Sequence, residues 1–253
     1  VGTNADEVIC SGASLSHDLQ NDVNLTGNTF SWSANSNPNV NGESTTAQTS
    51  NIITDTFINT TNVDQVVTYN VAPRSSLGCY GDVFTVTVTV HPKPVGTSQS
   101  ITICSNTEVS ANLNSYTTLS GNTFTWIALD QPDVNGESTT SQTTTQITDV
   151  LYNTTTVNQT VSYTVIPTSQ YGCVGNSFTV VVTVQPEATA IDQIENTCSA
   201  VPLSLDLNNY VSLTGTTFNW HAVDNVNISG ETLTNQSSSL ITDVLTNTTT
   251  ADQ

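Results

Sequence analysis

Five cysteines, three histidines and a recurring pair of acids are the residues of this 253-residue chain whose types and spacing could do chemistry. Cys10, Cys104 and Cys198 lie 94 positions apart, and Cys79 and Cys173 repeat that interval. Thiols placed this way can form disulfides, hold a metal or stay free and buried. A thiolate zinc site needs closely spaced Cys or His pairs, and no Cys-x-x-Cys occurs. Disulfides are favoured, and the repeat suggests pairing within each unit: Cys10 with Cys79, Cys104 with Cys173, and Cys198 without a partner before Gln253. Each bond would close a loop of about 70 residues and contribute roughly 4 kcal/mol by chain entropy. Such bonds imply an oxidising, extracytoplasmic compartment.

The histidines do not repeat. His17, His91 and His221 align with Ala111, Gln185 and Ser33, so they read as surface residues and no Ser-His-Asp constellation is expected. The recurring acids are Glu43, Glu137 and Glu231 after a glycine, and Asp55, Asp149 and Asp243 after Ile-Thr. Carboxylates in every module raise the possibility of calcium at module junctions. Without a dense Asp-x-Asp-x-Asp loop, the favoured expectation is an aspartate capping a turn and a glutamate on a solvated loop. No metal and no cofactor are therefore expected. An isopeptide cross-link in each module would need a lysine in each, and Lys93 is the sole lysine. Tyr80, Tyr152 and Tyr171 do not recur as aromatics from copy to copy, so they read as ordinary exposed tyrosines rather than a shared sugar platform.

With Lys+Arg 2 against Asp+Glu 21, the formal charge is −19. Arg74 and Lys93 cannot neutralise a phosphate backbone, which excludes nucleic-acid binding. The same sign disfavours anionic membrane surfaces, and no apolar run reaches membrane-spanning length. The polar remainder is mostly Thr, Asn and Ser, a hydrated surface of low charge density that can still fold.

The elements carrying these residues follow a strict internal repeat. Gly27-Asn28-Thr29-Phe30-Ser31-Trp32 returns as Gly121-Asn122-Thr123-Phe124-Thr125-Trp126 and as Gly215-Thr216-Thr217-Phe218-Asn219-Trp220. The copies are 1–94, 95–188 and 189–253, the third lacking its last two strands, and the chain is expected to be part of a longer array. Phe84 to Val90 alternates apolar residues with Thr, the period of a half-buried strand, and Val67, Tyr69 and Val71 supply the other arm of a hairpin. Phe30 and Trp32 mark a further strand, with Trp32, Trp126 and Trp220 aimed into the cores. Ile9 ends an opening strand at Cys10. Ile53 is expected to end a strand, with Phe57 a plug on a short helical turn, as for Ile147 to Leu151 and Ile241 to Leu245. No long amphipathic helix is supported. Short strands joined by turns predict an all-β chain of two-sheet sandwiches, one per repeat, in an extended rod. The linkers His91-Pro92-Lys93-Pro94 and Gln185-Pro186-Glu187-Ala188 favour extension.

The run Tyr163-Thr164-Val165-Ile166-Pro167-Thr168-Ser169, then Gly172-Cys173-Val174-Gly175, then Phe178 to Val184 and Pro186, resembles the PKD-like, immunoglobulin-like modules repeated in Bacteroidetes giant surface adhesins. These adhesins, gliding adhesins among them, leave the cell by type IX secretion. The resemblance implies a β-sandwich, extracellular display attached to the outer membrane through other regions, and a stalk-like or adhesive role. A Gly-Asp-Gly turn after the Trp strand is missing: Trp32 is followed by Ser33-Ala34-Asn35. The expected function is that of a non-enzymatic shaft, with further copies of the module in cis as partners and surface glycans or other surface proteins as candidate ligands. The alternatives are modules that themselves bind glycan or protein, and the accessory region of a secreted enzyme.

Overall fold

Strand propensity and turn chemistry, repeated twice in full, produce two sandwiches in the computed structural model, which covers residues 1–253. In the first, β1 (Ala5–Cys10), β2 (His17–Asp18), β3 (Thr29–Ala34), β4 (Val40–Asn41), β5 (Ile52–Ile53), β6 (Ile58–Asn59), β7 (Gln65–Arg74) and β8 (Phe84–His91) follow in chain order. One sheet is ordered β1-β8-β7-β3. Across it stand two short ladders, β2 with β5 and β4 with β6. β7 and β8 form the expected hairpin, Val71 opposite Phe84 and Gln65 opposite Val90. β1 runs parallel to β8, with Ala5 opposite Val86 and Cys10 opposite His91.

The second sandwich repeats this plan with β9 (Gln99–Cys104), β10 (Thr107–Glu108), β11 (Ala111–Asn112), β12 (Thr123–Ala128), β13 (Val134–Asn135), β14 (Gln146–Ile147), β15 (Val150–Asn153), β16 (Gln159–Thr168) and β17 (Phe178–Gln185). Its main sheet is ordered β12-β16-β17-β9, and Cys104 stands opposite Gln185 as Cys10 does opposite His91.

Each sandwich has its own core. Trp32, Tyr69, Phe57, Val67, Val86 and Val88 belong to one, and Trp126, Tyr163, Leu151, Val161, Val180 and Val182 to the other, with no shared member. The tryptophans pack edge-on to the buried tyrosines, Trp32 to Tyr69 at 5.5 Å and Trp126 to Tyr163 at 5.7 Å between ring centres. Their indole N–H groups donate to the carbonyls of Ser50 and Thr144, so the ring is buried without leaving its polar atom unpaired.

Two local expectations are corrected. No helical turn carries Phe57: it is fully buried between a bridge at Thr56 and strand β6, and Leu151 lies within β15. The helical turns are three 3-10 segments elsewhere, Leu19–Asp22, Leu113–Tyr116 and Leu207–Tyr210, each begun by a side chain (Asp18, Asn112, Asp206) accepting from the amide two residues on.

In the third copy β18 (Leu205–Asp206), β19 (Ile228–Ser229), β20 (Leu240–Ile241) and β21 (Thr246–Asn247) form two short ladders, but no main sheet assembles. The counterparts of β1 and β3 would pair with those of β7 and β8, which the chain does not contain. Trp220 accordingly keeps its bond to the Ser238 carbonyl yet is only partly buried, beside an apolar groove of about 370 Å³ lined by Leu203, Trp220, Ala222, Ile228, Ile241 and Leu245.

Candidate functional site

The cysteines pair across modules. Cys10 at the end of β1 is bonded to Cys173 in the turn between β16 and β17, with Cα atoms 5.5 Å apart and a sequence separation of 163. This corrects the expected Cys10–Cys79 and Cys104–Cys173 bonds, since Cys79, Cys104 and Cys198 are free and exposed. The parallel pairing of β1 with β8 supplies the reason. Cys10 sits beside His91 at the far end of β8, whereas Cys79 lies in the turn before β8 begins. Eight strand residues at about 3.3 Å each put roughly 25 Å between the two ends, far beyond the ~7 Å a disulfide tolerates. Module 2 presents its equivalent turn to the end of module 1, and Cys173 is the thiol within reach.

Around this bond the two modules form a built joint. The His91 ring stacks on Tyr171 at 3.9 Å with planes 2° apart, and His91 Nδ1 is 2.8 Å from Asp64 Oδ1. The Ser11 amide donates to the His91 carbonyl at 2.8 Å, and Ser11 Oγ accepts from the Asn59 amide at 3.0 Å. Asn59 is buried, and its Nδ2 donates to the carbonyls of Val63 and Val90 while its Oδ1 accepts from Thr61. That knot fixes the end of β8 and with it Cys10. In the linker Pro92 and Pro94 are buried. A Cβ on Gly175 would fall 2.2 Å from the Pro94 carbonyl oxygen, so this close approach requires glycine. A cleft of about 540 Å³ remains beside the joint, lined among others by Asn62, Asp64, Pro92, Leu119, Gln170 and Tyr171.

The recurring acids serve the interior of each module. Asp149 accepts from the Ser138 amide at 2.7 Å, from Ser138 Oγ at 2.7 Å and from the buried Tyr163 hydroxyl at 2.9 Å. Asp55 accepts from the Ser44 amide at 2.6 Å, from Ser44 Oγ and from Tyr69. Asp243 accepts from the Thr232 amide and hydroxyl. Burial, with the adjacent aspartate second, pushes both phenols well above their ordinary range, so they remain donors. Glu43, Glu137 and Glu231 each accept from a backbone amide, of Asn37, Gln131 and Asn225. Both oxygens of each aspartate and one oxygen of each glutamate accept from protein donors, and no three His, Cys, Asp or Glu residues are arranged to hold a metal ion.

Two histidines depart from the expected surface role. His91 forms the joint. His17 is buried between Glu7 and Asp22, with Nδ1–Oε1 and Nε2–Oδ2 both 2.7 Å. Module 2 fills the same three positions with Ile101, Ala111 and Tyr116, which pack on its core. Sequence reasoning missed this triad, as it missed Asn59 and Ser11. The recurrence of the latter as Asn153 with Ser105 and Asn247 with Ser199 was the available signal, and both later copies make the same bond.

Among solved structures, a three-Ig-domain I-band fragment of titin overlaps 98% of this chain and 87% of its own, at 10% identity and a TM-score of 0.40. A SusE-like surface-located polysaccharide-binding protein of Bacteroides thetaiotaomicron overlaps 73% of this chain at 9% identity and a TM-score of 0.33. A 2,6-sialyltransferase of Photobacterium overlaps 42% of it at 12% identity and a TM-score of 0.28. The chain spans 33% of the former's length and 20% of the latter's. No curated protein matches the chain. No helix is long and apolar enough to cross a membrane. The sequence matches the PKD-like domain three times, over residues 7–94, 101–188 and 195–253. The chain therefore belongs to the PKD-like domain family and carries its repeats in tandem.

Proposed function

We propose that this chain is a shaft segment of an extracellular, surface-displayed repeat protein, an adhesin or filament, acting by length and stiffness rather than by catalysis. Its units are 1–94, 95–188 and the shorter 189–253, and its partners are further copies of the module in cis. The observation that carries this reading is the Cys10–Cys173 bond between modules, backed by the His91–Tyr171 stack. A ligand-binding bead on a flexible string has no use for a covalent brace at its linker. Two of the three loop aromatics are already engaged on one face, Tyr171 by His91 and Tyr80 by Arg74 at 5.2 Å.

Small-angle scattering tests the reading. Relative to the oxidised chain, Cys10→Ser should broaden the distance distribution and shorten its mean, because it releases the joint between modules 1 and 2. Identical scattering from the two proteins would remove the basis for a stiffened shaft. Binding of residues 1–188 on a glycan array would instead favour the adhesive-module alternative.

A further inference from the structure

Both sides of the closed joint recur in the chain without a partner. On the turn side, module 2 is held by the Ser169 amide donating to Cys173 O at 3.0 Å, the Gly172 amide to Ser169 O at 2.9 Å and the Cys173 amide to Ser169 Oγ at 3.2 Å. The outward turn of module 1 makes the same three bonds through Ser75, Gly78 and Cys79, at 2.9, 2.8 and 3.1 Å. The turn is therefore shaped before any disulfide forms. Leu77 takes the place of Tyr171 there and is 92% exposed, an apolar side chain with nothing to cover it. On the strand-end side, the Ser105 amide donates to Gln185 O at 2.8 Å, as Ser11 does to His91, and Cys104 stands exposed beside it. The open groove of the third copy lies where a β7–β8 hairpin packs in the complete modules.

We infer that Cys79 and Cys104 are half-joints, and that the partner each accepts is another module of this kind. Cys104 takes the hairpin-turn cysteine of the module that follows, and Cys79 takes the opening-strand cysteine of a module that precedes. A bond spanning 163 residues in a repeat of 94 overlaps the next one, so the cross-links are staggered along the array and each complete module is braced to both neighbours. Each bond forms as two thiols release two protons and pass two electrons to a disulfide donor such as oxidised glutathione, which leaves as two thiols.

The test completes the third module by fusing a copy of residues 160–188 after Gln253, which aligns with Gln159. Refolded in a glutathione redox buffer and mapped by non-reducing peptide mass spectrometry, the fusion should join Cys104 to the added cysteine, retain Cys10–Cys173 and leave Cys79 and Cys198 open to alkylation. A bond from the added cysteine to Cys198, or a free Cys104, overturns the inference. A second measurement does not depend on the fusion folding. A synthetic peptide of residues 160–188, its cysteine activated as a mixed disulfide with nitrothiobenzoate, is offered to the unaltered chain. Docking in the groove should speed reaction at Cys104 over Cys79 and Cys198 by roughly 100-fold, the ratio of a millimolar effective concentration to about 10 µM peptide. Equal rates at the three thiols, or preference for Cys198, overturn it as well.

Discussion

Glu7, His17 and Asp22 are three polar residues in a place module 2 fills with Ile101, Ala111 and Tyr116, so module 1 carries a pH dependence its neighbour lacks. Burial pulls the His17 pKa down, but the hydrogen bonds and charges of Asp22 and Glu7 outweigh it and leave it above the ordinary 6.5. A group whose folded pKa is raised stabilises the fold fully below its unfolded pKa and loses that contribution as pH rises through the folded value. Module 1 should therefore weaken from about pH 6.5 upward. His17→Gln should cost about 1.5–3 kcal/mol near pH 6 and flatten the profile. Urea unfolding of wild type and variant between pH 5.5 and 9 measures both. The Tyr163–Asp149 bond makes a separate demand. Tyr163→Phe removes a buried donor from a carboxylate that keeps the Ser138 amide and hydroxyl, and should cost about 1 kcal/mol, read from the urea midpoint of module 2.

Among the elements, a tight constraint on a single residue sits at Gly136. It has φ +100°, and a Cβ there would lie 2.1 Å from the Val150 carbonyl oxygen, a geometry Gly42 and Gly230 repeat. Gly136→Ala should destabilise module 2 by roughly 2–4 kcal/mol, since strain and a backbone clash add. Module 1 should melt as before, because the cores share no residue. A calorimetric trace with one shifted transition is the expected result. The hairpin and the β3 strand were legible because alternation leaves a period of two in the sequence, and Val67, Tyr69, Val86 and Val88 are buried as that period demands. The 3-10 turns were not, since Leu19–Asp22 and its counterparts are too short to show a period and begin with a single capping side chain. The partner of Cys10 was hidden for a deeper reason. Translation by one repeat maps every cysteine onto another, so a bond inside a unit and a bond to the next unit look alike in the spacing. The parallel alignment of β1 with β8 breaks that tie, and alternation does not reveal strand direction.

Across the whole molecule, the Cys10–Cys173 bond withdraws 163 residues from the length available to a pulling force. At about 3.3–3.6 Å per extended residue, reduction should add roughly 540–590 Å to the contour reached by a chain stretched from Val1 to Gln253 in an optical trap. An increment near zero would mean the bond does not form. The same closure alters what damage does outside a cell. A peptide bond severed anywhere from residue 11 to 172 leaves both pieces on one covalent framework, because each remains tethered through sulfur. A protease recognition site inserted between Thr97 and Ser98 makes this visible: after digestion the fragments should migrate together on a gel until a reductant is added, whereas pairing inside each module would let them part at once. A thread braced in this way survives a clean cut.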